Sequence, residues 1–125
     1  MRADMLTPIL SDLNGSSADI EGTAIVSADG LMMAALLPSS VDEGRVGAMS
    51  AALLSLGDRA AKELARSSLE QVLIKGDKGS ILMTYAGKDA LLVVLVKPQA
   101  KLGLILLDVK RAAEAVSTVI REILS

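Results

Sequence analysis

The run Ala90 to Val96, ALLVVLV, has no polar residue and is bounded by Gly87-Lys88-Asp89 on one side and Lys97-Pro98 on the other. A strand that is apolar at every position has no face to give to water, so it belongs in the middle of a sheet. That sheet then needs cover on both faces, which requires three layers. Two further runs lead into it, Leu69 to Lys75 (LEQVLIK) and Ser80 to Ala86 (SILMTYA), separated by Gly76-Asp77-Lys78-Gly79. Short apolar runs joined by glycine-containing turns read as an antiparallel meander. Leu69 to Lys75 sets Glu70 and Lys75 beside Val72 and Ile74, the pattern of a more exposed, edge strand.

Upstream, Ile20 to Ala28 and Leu31 to Leu37 flank Asp29-Gly30. Asp-Gly between two such runs predicts a hairpin with a type I′ turn, and Pro38 stops the second strand. Near the N-terminus, Met5, Leu6, Ile9, Leu10 and Leu13 share one helical face, which Asn14-Gly15 terminates. Pro8 leaves the start of that helix open, between a beginning near Ala3 and a short helix capped by Thr7. At the other end Ile105, Val109, Ala112, Val116, Ile120 and Ile123 form the stripe of an amphipathic helix over Leu102 to Leu124. The predicted order is αββαβββα: one domain over residues 1–125, of the α/β (α+β) class, folded as a three-layer sandwich on a five-stranded antiparallel sheet. The first and last helices are expected to share one face and the central helix to take the other.

That central helix, Asp42 to Arg66, is unusual. Its charges lie at the ends, and the twelve residues from Val46 to Gly57 carry none. Val46, Met49, Leu53, Leu56, Ala60 and Leu64 fall on one stripe, which is expected to face the core. The opposite side reads Gly44, Gly47, Ala48, Ala51 and Ser55 before Asp58 and Lys62. A helix that is apolar or small on both sides is usually buried on both. Two glycines weaken a merely solvent-exposed helix by roughly 1 kcal/mol each, which favours a partner for the small-residue side. A self-complementary patch most often closes as a two-fold dimer, so a homodimer is expected, with Ala51→Arg as the substitution that breaks it.

Composition narrows function by exclusion. The chain has no cysteine and no histidine, which removes thiol nucleophiles, disulfides, imidazole acid–base chemistry and nearly all structural zinc sites. Thirteen basic against fifteen acidic side chains, with Tyr85 the only aromatic, leave neither an electrostatic footprint nor stacking platforms for nucleic acid. Asp4, Pro8 and Asp12 interrupt any signal-like apolar run, and no uncharged stretch reaches the ~18–20 residues of a membrane span. A cytoplasmic protein with no cofactor and no metal is expected.

Taken in order, the hairpin GTAIVSADGLMMA, the helix RVGAMSAALLSLGDRAA, the meander VLIKGDKGSILMTYAGKDALLVVLV and the final KLGLILLDVKRAAEAVSTVI resemble the Roadblock family. These are dynein-light-chain-like small dimers related to profilin and longin folds, and the match covers nearly the whole chain. The resemblance implies a dimer in which the central helices pack together and the third strands pair across the two-fold. The interface so expected comprises Gly44, Gly47, Ala48, Ala51, Leu54, Ser55 and Asp58 of the helix with Glu70, Val72 and Ile74 of the strand. The family has no catalytic residues in the usual sense. Its members are scaffolds and regulators of small Ras-like GTPases or light chains of motor assemblies. Single-domain prokaryotic members resemble a gliding-motility regulator that binds such a GTPase as a dimer and speeds hydrolysis.

No motif competes with a non-enzymatic reading. Gly76-Asp77-Lys78-Gly79-Ser80 lacks phosphate-loop spacing and precedes a strand, so it is a turn. Asp42, Glu43, Arg45, Arg59, Lys62 and Arg66 are the candidates for contact with a GTPase, at the ends of the paired helices. The leading expectation is a homodimeric, non-catalytic regulator or scaffold for a Ras-like GTPase. The alternative is a structural adaptor that never touches one, and a ligand-sensing sandwich is the weakest reading.

Overall fold

The computed structural model describes the backbone of residues 2–124 and the side chains of residues 4–124. Met1 and Ser125 lie outside the described residues. The elements are α1 (Arg2–Ser16), β1 (Ile20–Ser27), β2 (Met32–Leu36), α2 (Glu43–Glu63), β3 (Gln71–Gly76), β4 (Gly79–Tyr85), β5 (Ala90–Val96) and α3 (Leu102–Leu124). One antiparallel sheet of five strands runs β2-β1-β5-β4-β3. The all-apolar strand is therefore its centre, and the charged, alternating one its edge. Ala90 to Val94 are buried throughout, whereas β3 has only Val72 half-buried.

Strand alternation sends each residue set to its own layer. Leu92 and Val94 of β5, Leu82 of β4 and Ile25 of β1 pack with Leu6, Leu10 and Leu13 of α1 and with Ile105, Val109, Val116 and Ile120 of α3. On the other face Leu91, Val93, Met83, Ala24 and Val26 pack beneath Val46 and Leu54 of α2. Two helices cover one face and a single helix the other, the layer order expected for a central strand apolar on both faces. Thr23, fully buried, donates from its Oγ1 to Asn14 Oδ1 at 2.8 Å, which ties α1 to β1 through a satisfied polar pair.

One alternative left open is decided and one expectation changes. Helix α1 runs from Arg2 straight through Pro8. A proline this far in removes one helical hydrogen bond. Buried Leu6 lies before the proline, and Leu10 and Leu13 after it, so core packing holds the helix on both sides of the break. The β1–β2 turn is not type I′. Asp29 keeps an ordinary negative φ and only Gly30 is left-handed, at 92°. The Gly30 N–H donates to the Ser27 carbonyl at 3.0 Å, and the Ser27 N–H to the Leu31 carbonyl at 2.8 Å. That is a three-residue loop, a turn followed by a left-handed glycine, with a bulge where Ile25 pairs Ala34 and Val26 pairs Met32.

Candidate interaction surface

Helix α2 begins where its sequence asks it to. Asp42 is the N-cap, and its Oδ1 accepts from the Arg45 N–H at 3.0 Å. The helix ends at Leu64 with Ala65 left-handed (φ 59°). There the Arg66 N–H reaches the Ala61 carbonyl at 2.7 Å and the Ala65 N–H the Lys62 carbonyl at 3.1 Å. This pair of bonds is a Schellman motif, built here with alanine where glycine is usual.

The rotation of α2 about its axis corrects the expected interface. Its buried residues are Val46, Gly47, Ser50 and Leu54. Gly47 and Leu54 therefore belong to the domain's own core, not to an outward patch. Leu54 is 1% exposed, packed in the layer with Met83, Leu91 and Val93. Gly47 lies against the β1–β2 turn so closely that a Cβ on it would sit 2.5 Å from the Gly30 carbonyl oxygen. Ala51, half-buried, rests beside the same turn. The physical reason is contact distance: the hairpin turn rises to the helix, and only small residues let the two backbones meet. Gly47 and Ala51 of the small stripe are thus an intramolecular seat for the turn.

Asp58 is likewise engaged within the domain. Its Oδ1 accepts from the Leu69 N–H at 3.1 Å and its Oδ2 pairs with Lys62 Nζ at 2.9 Å. The hydrogen bond from Lys62, and then that from Leu69, hold the Asp58 carboxyl below its ordinary range. Asp58 in turn raises the Lys62 ammonium. Burial, with the Asp58 charge, pushes up the Tyr85 phenol, whose hydroxyl makes a long 3.5 Å contact to the Leu54 carbonyl. This cluster anchors the α2–β3 connection.

The stripe expected in the core is largely outside it. Val46 is buried and Leu53 half-buried, but Met49 is 56% and Leu56 62% exposed, and Ala60 and Leu64 are exposed as well. With the hairpin turn seated on the Gly47–Ala51 flank, helical geometry turns Met49, Leu53, Leu56 and Ala60 to the opposite flank. The strand register shows what that flank overhangs. One cross-strand row, Val72–Met83–Val93–Ala24, is roofed by α2, with Met83, Val93 and Ala24 at 2% exposure or less. The next row on the same face, Ile74–Ile81–Leu95, is not: Ile74 is 37% exposed, and Ile81 and Leu95 are half-buried. Together the helix flank and this row form an apolar ledge that runs to the β3 edge.

The expected interface residues now divide. Gly44, Ala48 and Ser55 are exposed on α2, and Glu70 and Ile74 are exposed at the edge strand, with Val72 half-buried beside Gly57. Met49, Ala52 and Leu56, none of them among the expected interface residues, are exposed on α2 as well. Of the partner candidates, Asp42, Glu43 and Arg45 lie at one end of α2, and Arg59, Lys62 and Arg66 at the other. Arg45 and Arg59 are roughly 21 Å apart along the axis at 1.5 Å per residue. Lys62 is held by Asp58, and Arg59 makes an exposed 3.7 Å pair with Glu63. The six do not form one cluster.

Among the described residues no group of acidic side chains is arranged to hold a metal ion, and no helix is long and apolar enough to cross a membrane. A concavity of ≈ 710 Å³ lies on the opposite face, between α3 and the β3–β4 end of the sheet.

Residues 9–96 match the Roadblock/LC7 domain. The chain belongs to this family. It is 42% identical over 112 residues to the Methanocaldococcus jannaschii protein MJ1340, which spans 90% of this chain and 96% of that one. Among solved structures it superposes on Myxococcus xanthus MglB with a TM-score of 0.88 at 18% identity, covering 95% of this chain and 90% of that one. Profilin IB of Acanthamoeba castellanii aligns with a TM-score of 0.66 at 16% identity, over 91% and 97% of the two chains. The Roadblock/LC7 domain here thus has the profilin-like sandwich that its family resemblance implies.

Proposed function

We propose that this Roadblock/LC7 chain is a homodimeric, non-catalytic scaffold that regulates a small Ras-like GTPase in the cytoplasm. The observation that carries the dimer is the apolar ledge of Met49, Leu53, Leu56, Ile74, Ile81 and Leu95 reaching the open edge of β3. Burying Met49 and Leu56 alone contributes about 3–6 kcal/mol. Association costs about 4–15 kcal/mol, so the ledge and the strand edge must both be used. The two sheet edges differ in the right way. Strand β2 is short and bulged, which blunts an edge, whereas β3 pairs β4 over six residues without a break. Strand β3 is the edge fit to take a second copy.

The dimer uses Gly44, Ala48, Met49, Ala52, Ser55 and Leu56 of α2 with Glu70, Val72 and Ile74 at β3. The charged ends of α2, Asp42, Glu43 and Arg45 and then Arg59 and Arg66, flank that surface and meet the GTPase. Family membership and the MglB-like fold support the GTPase reading.

Two measurements test this. Light scattering on the purified protein should give twice the monomer mass, and Ala52→Arg, at an exposed position, should return it to the monomer. A wild-type monomer at micromolar concentration would sink the dimer. If a Ras-like GTPase is encoded beside this gene, its GTP hydrolysis rate should change when the protein is added. A GTPase that binds in neither nucleotide state would favour the adaptor reading instead.

A further inference from the structure

Helix α3 leaves two leucines bare in its first two turns: Leu104 is 67% and Leu107 62% exposed. They stand three residues apart on the outward face, while Ile105, Val109 and Ala112 are buried on the other. The charges around them are mostly of one sign. From Lys97 to Arg111 the chain has four basic residues and one acid, in a protein of net charge −2. That acid, Asp108, pairs with Arg111 at 3.8 Å, and Asp12 of α1 shares a small concavity with both. Lys97, Lys101 and Lys110 make no ion pair among the described residues. The Lys101 carbonyl accepts from the Leu104 N–H at 3.1 Å and the Ile105 N–H at 3.4 Å, so a lysine occupies the N-cap, and no acid sits in the first turn. Both choices oppose the helix dipole, whose N-terminal end favours negative charge. Helix α2 follows that rule, with Asp42 and Glu43. The start of α3 thus lacks both apolar cover and negative charge.

We infer that the start of α3 docks on an anionic lipid bilayer: Leu104 and Leu107 enter the boundary between headgroups and acyl chains, and Lys97, Lys101 and Lys110 hold the phosphates. Shape favours lipid over a folded partner. The two leucines stand on the crest of a helix, not in a groove, and a convex apolar point suits a fluid layer that closes around it. Lysine lays its stem along apolar surface and keeps its ammonium at the headgroups. One such patch holds weakly, because stable anchoring takes more than one signal. A second copy supplies the other. A two-fold that pairs β3 with β3 in one antiparallel sheet stands perpendicular to the sheet, so both α3 helices lie on one side and both α2 helices on the other. Five strand spacings of about 4.8 Å separate one β5 from the other, which sets the two patches about 24 Å apart on the same bilayer. Helix α2 then faces away from the membrane, toward the GTPase. This pairing of patches rests on the dimer reading above; the patch itself does not.

The test floats the full chain with vesicles of phosphatidylcholine, alone or mixed in equal parts with phosphatidylglycerol. The protein should rise with the anionic vesicles only, and less so as salt increases. A lysine near such a surface is worth roughly fivefold in affinity, so Lys101→Glu with Lys110→Glu should weaken binding at least tenfold. Leu104→Ser with Leu107→Ser should weaken it as much, with helical signal and dimer mass unchanged because both side chains are exposed. Leu107→Trp, in a chain without tryptophan, should shift its fluorescence to the blue on anionic vesicles alone. Ala52→Arg, which separates the two patches, should also cost at least tenfold. No flotation with anionic vesicles would overturn the proposal and make an acidic polypeptide the occupant to seek. Binding indifferent to the two leucines would overturn it as charge attraction alone. Either result leaves the dimer untouched. A wild-type monomer that still floats would instead remove the dimer reading and support the patch.

Discussion

Gly47 must be glycine, but for a reason that helix propensity hides. An added Cβ would lie 2.5 Å from the Gly30 carbonyl oxygen, a backbone atom that cannot swing aside. Overpacking of this kind costs about 1–3 kcal/mol, against roughly 1 kcal/mol that alanine returns in a helix interior, so Gly47→Ala should destabilise by up to about 2 kcal/mol. Urea unfolding should show the midpoint fall; an unchanged midpoint would mean that the turn does not seat on the helix. Asp58 acts through charge. Its carboxyl is held low by Lys62 and Leu69, so its contribution is complete above the unfolded carboxylate value near pH 3.9 and is lost as pH falls below that. Lys62, held high, loses its share as pH rises past its ordinary 10.5. Asp58→Asn should therefore lower Tm at neutral pH, and the gap to wild type should close below about pH 4. A gap that persists at pH 2.5 would show that the charge is not its source.

At the scale of elements, hydrophobic periodicity carried most of the fold and then stopped. ALLVVLV was legible as the central strand because its burial needs no knowledge of its neighbours. The stripe of α3 was legible because Lys110, Arg111, Glu114 and Glu122 mark its wet side. Helix α2 offered no such contrast: Met49 and Leu56 on one side and Gly47 and Ala51 on another are both low in polarity. The choice between them is made by a contact distant in sequence, Gly30 on Gly47, which no local pattern contains. The face of α2 expected to point outward was accordingly misplaced in rotation, since Gly47 and Leu54 are buried within the domain. The end of α2 shows the same limit. A left-handed alanine at 65 gives no sequence signal, unlike the glycine that usually occupies this position. Ala65→Gly should relieve that strain and stabilise the domain by about 0.5–1 kcal/mol. For a chain of this length that corresponds to a rise in Tm of roughly 2–5 °C by calorimetry, and a decrease would mean that the cap is not left-handed.

At the scale of the molecule, the proposed dimer through the ledge and the open β3 edge would make stability and assembly one quantity. Whatever binds only the folded state stabilises it by mass action, and a second folded copy is such a ligand. A dimer built on Met49, Leu56 and Ile74 should therefore show a Tm that rises with protein concentration. Ala52 lies on the outer side of α2 and is exposed, so Ala52→Arg removes the partner without opening the core. The variant should melt at a Tm independent of concentration, and its curve should match wild type at the lowest concentrations, where the wild-type dimer has dissociated. The comparison separates two kinds of failure. A wild-type Tm that is flat across a hundredfold dilution would mean that the ledge stays exposed and that the domain tolerates it. A variant Tm far below the dilute wild type would mean that Ala52 supports the core after all, and the rotation assigned to α2 would then be wrong.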